Sequence, residues 1–263
     1  MTHAWHLEQH DSALNWQAGL RLGFVRSGAR TQLAHTSHRG PLRVQRPFTP
    51  EGLDCPHLYI LHPPGGLVSG DNLRLQADMQ ENACAVLTTP SSGKFYRARD
   101  NGTLQVQHNR FTLAAGSSLE YLPQDTIAFE GCHARMITRI DLAVDARCVA
   151  WDLLCLGRPA AGEGFSYGQV DQRLDVWRDG RPIYIERNQF IGGDPLLEAR
   201  WGLGGCGVSG TWLATVQLDR QQMDDLRDSL TDCPELALTQ RNGLLIGRYL
   251  GLHAEHARNT FIR

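Results

Sequence analysis

From Trp16 to about Ile185, apolar side chains return at every second position. Leu20, Leu22 and Phe24 alternate with Arg21 and Gly23, and Leu42 and Val44 follow the Gly40-Pro41 turn. Leu104 and Val106 follow Asn101-Gly102, and Met136, Thr138, Ile140 and Leu142 continue the period. Turn residues recur about every eight to twelve positions, the spacing of short strands in an all-β body. A strand of this period has one apolar face, and many such strands must be layered or stacked to cover it. The expected class is therefore mainly β: a stacked-strand, β-helix-like or layered sandwich body.

Three segments look alike: ENACAVLTTP (81–90), AAGSSLEYLP (114–123) and DARCVAWDLL (145–154). Each is a turn of small residues leading into a strand, and they recur at roughly thirty residues, a spacing that suits stacked coils or a layered sandwich. The third runs into Val149–Leu156, an apolar run of strand length bounded by Gly157 and Pro159. Val149, Trp151, Leu153 and Cys155 fall on one face, with Ala150, Asp152, Leu154 and Leu156 on the other. Both faces are apolar except at Asp152, so the strand is expected to be covered on both sides with a carboxylate inside. A buried, ionised carboxylate must be paired, protonated or held by a cation.

Helical patterning comes only near the C-terminus, where two helices are expected. Asp219 is a candidate N-cap with Gln222 three residues on, a capping-box variant. Met223, Leu226 and Leu230 follow on one face, and Pro234 closes the segment. A strand is expected at Leu244–Leu250 and a second helix at His253–Arg263, with Ala257 and Phe261 one turn apart. That pattern is still running at the last residue, as for a helix continuing a turn or two further.

The chain, 263 residues long, reads as a single domain, with residues 1–15 as a flexible N-terminal tail. The tail has no basic-then-apolar signal pattern and reads as a retained cytoplasmic start. Basic residues number 26 against 28 acidic, so no surplus points to nucleic acid or an anionic membrane. Seven scattered cysteines, none in a CxxC pair, fit reduced core thiols better than a disulfide framework or a zinc ribbon.

Few motifs carry chemistry. HPPGGLVSGDNL (62–73) reads as a rigid glycine-rich turn that could meet a partner. PSSGK fails as a phosphate-binding loop, because Thr88 and Phe95 stand where glycine and a Ser or Thr are needed. There is no GxSxG elbow. His253 and His256 could share a metal on their helix, whereas HLEQH near His6 and His10 matches no metalloprotease spacing. Lys94, Tyr96 and Arg97 in LTTPSSGKFYRAR (87–99) make a cationic-aromatic candidate contact surface for a partner.

Carboxylates recur beside apolar residues at Asp125, Glu130, Asp141, Asp152, Glu163 and Asp175. Strung along an interior, such groups could pass a divalent cation from one oxygen ligand to the next. Their structural alternative is pairing with Arg135, Arg158 or Arg173, and a third reading makes Asp125 and Asp152 an acid–base pair of a hydrolase or isomerase.

Six collinear blocks, GPLRVQRPF (40–48), LYILHPPGGLVSGD (58–71), LTTPSSGKFYR (87–97), LEYLPQDTIAFEG (119–131), WDLLCLGRPAAGEGFSYG (151–168) and RLDVWRDGRPIYIER (173–187), together resemble the D-type (UreD, also UreH) family of urease accessory proteins. After residue 190 the likeness thins to GTWLATV (210–216) and LLIGRYLG (244–251), without the family's longer C-terminal helix. The resemblance implies a cytoplasmic, non-enzymatic maturation factor, a chaperone of nickel insertion. Its partners would be urease apoprotein, the UreF-type accessory protein and, through that complex, the UreG-type GTPase. No tightly bound cofactor is implied: nickel is in transit, and GTP sits only on the partner GTPase. The family's proposed internal nickel passage places Asp152 and Asp175 among its lining residues, and Glu163 joins them from its position after a glycine-rich turn. A conduit favours weak, exchangeable oxygen ligands over a tight His/Cys cage.

Overall fold

The computed structural model describes residues 16–263. The tail expected over residues 1–15, with His6 and His10, lies outside the described residues. The chain opens on the hairpin β1 (Gln17–Ser27) and β2 (Arg30–Arg39), followed by β3 (Arg43–Val44) and β4 (His57–Leu61). Three similar tiers come next. The first is β5 (Asn72–Met79), β6 (Cys84–Thr88) and β7 (Gly93–Phe95). The second is β8 (Gln105–Leu113), β9 (Ser118–Leu122) and β10 (Thr126–Ala128), and the third is β11 (His133–Leu142) with β12 (Arg147–Leu156). A second hairpin, β13 (Gln169–Arg178) and β14 (Arg181–Ile191), precedes the one-turn helix α1 (Pro195–Glu198). The chain finishes with β15 (Val208–Ala214), α2 (Arg220–Ser229), β16 (Leu236–Arg241), β17 (Leu244–Gly251) and α3 (Ala254–Ile262).

Both expected arrangements are present at once. In the centre the tiers stack in parallel: β5, β8 and β11 in a seven-stranded sheet, β6, β9 and β12 in a ten-stranded one. The look-alike segments supply the second strand of each tier and stand in register, Cys84 beside Ser118 and Ser118 beside Arg147. Antiparallel strands close the sheets on either side, with β2 and β14 at the two edges of the first. The core lies between the sheets. Leu20, Leu22 and Phe24 of β1 and Ile140 of β11 meet Leu87, Leu119 and Leu154 from the opposite sheet. Each of these is nearly or wholly buried, and such a side chain contributes about 2–3 kcal/mol.

The outer face of the seven-stranded sheet is held in water by ion pairs: Arg21 with Asp78 at 3.1 Å, Arg110 with Asp141 at 3.2 Å and Arg135 with Asp171 at 3.3 Å. The outer face of the ten-stranded sheet is covered by α3, whose Ala257 and Phe261 pack on Trp151, Leu153 and Val208. Gly210 lets the helix approach, because a β-carbon there would lie 3.1 Å from the Phe261 ring and 2.8 Å from Leu153. Strand β12 is thus covered on both faces, as its two apolar stripes require.

The capping box at Asp219 and Gln222 forms, each side chain taking the other's backbone N–H at 2.9 Å. Helix α2 stops at Ser229, before Pro234, because the chain turns there to enter β16. The short α1 was not legible from periodicity; Asp194 caps it by accepting from the Leu196 N–H at 2.8 Å. No helix among the described residues is long and apolar enough to cross a membrane.

Candidate functional site

The six carboxylates sort by face. Asp152 alone of them turns into the space between the sheets, flanked by Ala150 and Leu154. Asp141 lies on the outer ion-pair ladder, bound by Arg139 at 2.7 Å. Asp175 is on that outer side too, gripped by both terminal nitrogens of Arg187, while Leu174 and Val176 face the core. Glu163 belongs to an exposed loop and forms a bidentate pair with Arg158. Glu130 accepts from the Ser166 hydroxyl and, at 3.0 Å, from the Ser166 backbone N–H, which hold its carboxyl below the usual range. The structure therefore does not bring Asp152, Asp175 and Glu163 together. Nor does it pair Asp125 with Asp152. Asp125 opens instead into the groove beneath α3, where Arg258 meets it at 2.7 Å.

Around Asp152 the interior is polar. Burial pushes its carboxyl up to about 6; a hydrogen bond from Gln172 of the facing sheet opposes this, and the charge of Glu186 adds to it. Asp152 lines a cavity of about 50 Å³ with Gln107, Asn109, Tyr121 and Thr138. A second cavity of about 100 Å³ shares Gln107, Asn109 and Tyr121 and continues past His62 and Lys94 to Pro90 and Ser91 at the surface. Each has room for several water molecules. Asn109 crosses the space, donating to the Tyr121 hydroxyl and to Thr138 Oγ1, both at 3.2 Å. At the mouth, burial lowers the proton affinity of His62 against the pull of Asp71, and its Nε2 is buried with no hydrogen-bond partner among the described residues. A neutral imidazole with a free nitrogen can take a proton or a metal ion.

Beyond Asp152 the seam continues as bonded side chains. Asn188 donates to Gln172 Oε1 at 3.2 Å and to Glu186 Oε1 at 2.8 Å. Thr211, opposite Asp152 in the β12–β15 ladder, donates to Glu186 Oε2 at 3.0 Å. Arg248 meets Glu186 at 2.8 Å, and its own side chain stands half outside. Polar side chains thus recur from the β6–β7 loop through the sandwich to Arg248 on β17, with carboxylates at Asp152 and Glu186, and the outer cavity adds the aliphatic walls of Leu42, Ile60, Leu67, Leu73 and Leu75.

Sequence reasoning found Asp152 and missed Glu186, Asn109 and Gln172. The apolar alternation of Leu104, just before β8, and Val106 within it belongs to the outward phase, whereas Gln105, Asn109, Phe111 and Leu113 are buried. In β14 Ile185 is 52 % exposed while Glu186 is 7 %.

Of the expected contact residues, Lys94 lines the larger of the two cavities, and Tyr96 and Arg97 follow it along the chain. Lys94 donates to the Ser92 carbonyl at 3.3 Å. Tyr96 is exposed and packs on Phe129 at 5.3 Å, and Arg97 lies over the Tyr167 ring at 5.8 Å. Gly66 fits beneath them because a β-carbon there would meet Tyr96 at 2.5 Å. Lys94 and Tyr96 share the surface over Gly66, and Arg97 with Tyr167 lies next to them in the chain.

Fold and site together define a two-sheet β protein that encloses a carboxylate-bearing seam and exposes aromatic and cationic side chains beside it. Comparison with known proteins narrows this to the accessory proteins of urease, and so to a role in urease maturation. The chain belongs to the UreD urease accessory protein family, whose model matches residues 17–263. It is 44 % identical over 251 residues to the urease accessory protein UreD of Saccharophagus degradans, covering 94 % of this chain and 85 % of that one. The UreD of Dechloromonas aromatica is 44 % identical over 266 residues, covering 99 % and 92 %. That of Marinobacter nauticus is 43 % identical over 254 residues, covering 94 % and 85 %.

Proposed function

We propose that this chain works in the cytoplasm as a non-enzymatic scaffold of urease maturation and lets nickel pass along its interior seam. It would bind urease apoprotein and the UreF-type accessory protein, and through that complex meet the UreG-type GTPase that supplies the ion. The observation that carries this reading is Asp152. A carboxylate between two sheets, beside water-sized space and with its proton held up by burial, is costly to keep. Its cost is explained if a divalent cation replaces that proton. The lining of amides, hydroxyls and carboxylates offers weak oxygen ligands, which release an ion as readily as they accept it. Between Asp152 and Arg248 the seam is closed by Gln172, Asn188 and Thr211, so transit there requires these side chains to swing aside.

Lys94, Tyr96 and Arg97 form the surface proposed to meet a partner. Aromatic and arginine side chains are favoured at interface centres, and Lys94 also lines the cavity through which an ion would be handed over. The test is reconstitution of urease with the partner proteins and the chain carrying Asp152→Ala. Capture of urease and of the UreF-type protein should be unchanged while urease activation slows several-fold. Activation at the normal rate would leave a purely structural adaptor with no metal contact, and failure to capture either partner would remove the scaffold reading itself.

A further inference from the structure

On the far side of the ten-stranded sheet, away from the seam, three side chains of different chemistry converge. Cys233 and Glu235 flank Pro234 in the turn that leads into β16, and His256 projects from the first turn of α3. One ligand atom from each, the Cys233 sulfur, a Glu235 oxygen and a His256 ring nitrogen, lie within 4.8 Å of one another. We propose that these three residues form a surface-opening site for one divalent first-row transition-metal ion of the zinc, nickel and cobalt class.

The geometry needs little adjustment. In a four-coordinate site with metal–sulfur bonds near 2.3 Å and metal–nitrogen or –oxygen bonds near 2.0–2.1 Å, ligand atoms stand about 3.3–3.6 Å apart. Cys233 Sγ already lies 3.7 Å from Glu235 Oε2. The turn is held on both sides of the proline: the Cys233 N–H donates to Leu230 at 2.9 Å, and the Leu250 N–H donates to the Glu235 carbonyl at 2.9 Å. Thr260 Oγ1 lies 3.4 Å from the Cys233 sulfur, and the Tyr249 hydroxyl lies 3.2 Å from His256 Nδ1. Such outer partners fix the rotamer and tautomer of a ligand, which is how metal-binding imidazoles are usually oriented. Arg263, paired with Asp232 at 2.8 Å, ties the end of α3 to the same turn.

One thiolate, one imidazole and one carboxylate suit a borderline cation and exclude the all-oxygen preference of magnesium or calcium. Cys233 is buried, Glu235 half-buried and His256 exposed, so the ion would enter past the imidazole. Three protein ligands leave a position for water or an incoming ligand, so the ion stays exchangeable. On binding, the Cys233 sulfur loses its proton to solvent as the metal–sulfur bond forms, and affinity rises with pH. His253, which the sequence placed beside His256 as a metal partner, is not part of the cluster; it stands at the N-cap position of α3 without a side-chain capping bond.

The test is titration of the full chain with cobalt(II), whose thiolate charge-transfer and ligand-field absorptions report sulfur ligation and coordination number. The expected result is one sulfur-ligated ion per chain, with a sulfur band that zinc(II) or nickel(II) displaces. Cys233→Ser should abolish that band, and Glu235→Gln and His256→Gln should each weaken binding about tenfold or more. The sulfur band reports ligation by Cys233 alone, which separates the site from the all-oxygen interior seam. Absence of a sulfur band, its survival in Cys233→Ser, or unaltered affinity in both Glu235→Gln and His256→Gln would overturn the assignment. The last two variants alter partly exposed side chains, so they decide the matter even if Cys233→Ser does not fold.

Discussion

Thr211 joins the two sheets at the point where the seam narrows: its hydroxyl donates 3.0 Å to Glu186, while along its own sheet it stands directly opposite Asp152. Two acidic groups therefore share one crossing point. One of them, Glu186, has a fixed cation in Arg248; the other sits beside open space.

That difference gives Asp152 a pH signature. Burial raises its carboxyl to about 6 from an ordinary 3.8. Below about pH 4 the group is protonated whether the chain is folded or unfolded and costs nothing. Between about pH 4 and 6 the unfolded chain loses its proton first, so stability falls as pH rises, and the penalty is complete above pH 6. Asp152→Asn should remove this slope and stabilise the chain by roughly 2–3 kcal/mol at pH 8 but little at pH 4. Denaturant midpoints of the two proteins at both pH values check it.

Glu186→Gln should move the same transition. The charge of Glu186 helps hold the Asp152 proton, so its removal should shift the Asp152-dependent step toward lower pH. The variant should also lose about 1–3 kcal/mol, because Arg248, Thr211 and Asn188 lose a charged acceptor. Stability against pH, measured for the single variants and for Glu186→Gln with Asp152→Asn, separates the two effects.

Asp175→Ala and Glu163→Gln should leave urease activation unchanged. Both carboxylates are paired to arginines outside the sandwich, and such exposed pairs contribute at most about 1 kcal/mol to stability. Activation assays alongside Asp152→Ala provide the contrast; slowing by Asp175→Ala would place the ion's route on the outer face.

Asp219→Ala should cost about 1 kcal/mol by removing the acceptor for the Gln222 N–H at the start of α2. A thermal melt checks this, and because the helix is remote from Asp152, activation by the folded variant should be normal.

What the sequence discloses follows from local rules. The capping box is legible because it lies within four residues, and the tier strands because their turns repeat. The inward position of Asp152 is legible because apolar neighbours bracket it on both faces. The same alternation, applied to Leu174 and Val176, assigns Asp175 to the opposite side. Glu186 and Asn109 escape because the inner face is itself polar along the seam, so counting apolar residues selects the wrong phase: Ile185 points outward to water and Glu186 inward. The metal cluster of Cys233, Glu235 and His256 escapes because α3 folds back onto a turn some twenty residues earlier in the chain, a closure no local pattern encodes.

On the proposed function, nickel reaches urease through the interior of this chain. The most direct measurement of that route is the number of nickel ions per urease active site after reconstitution with the chain carrying Asn109→Leu and Asp152→Leu, which dries the seam and leaves the outer surface intact. Normal capture of both partners with a several-fold fall in nickel is the expected result. Full nickel occupancy in a complex built on that variant would contradict it.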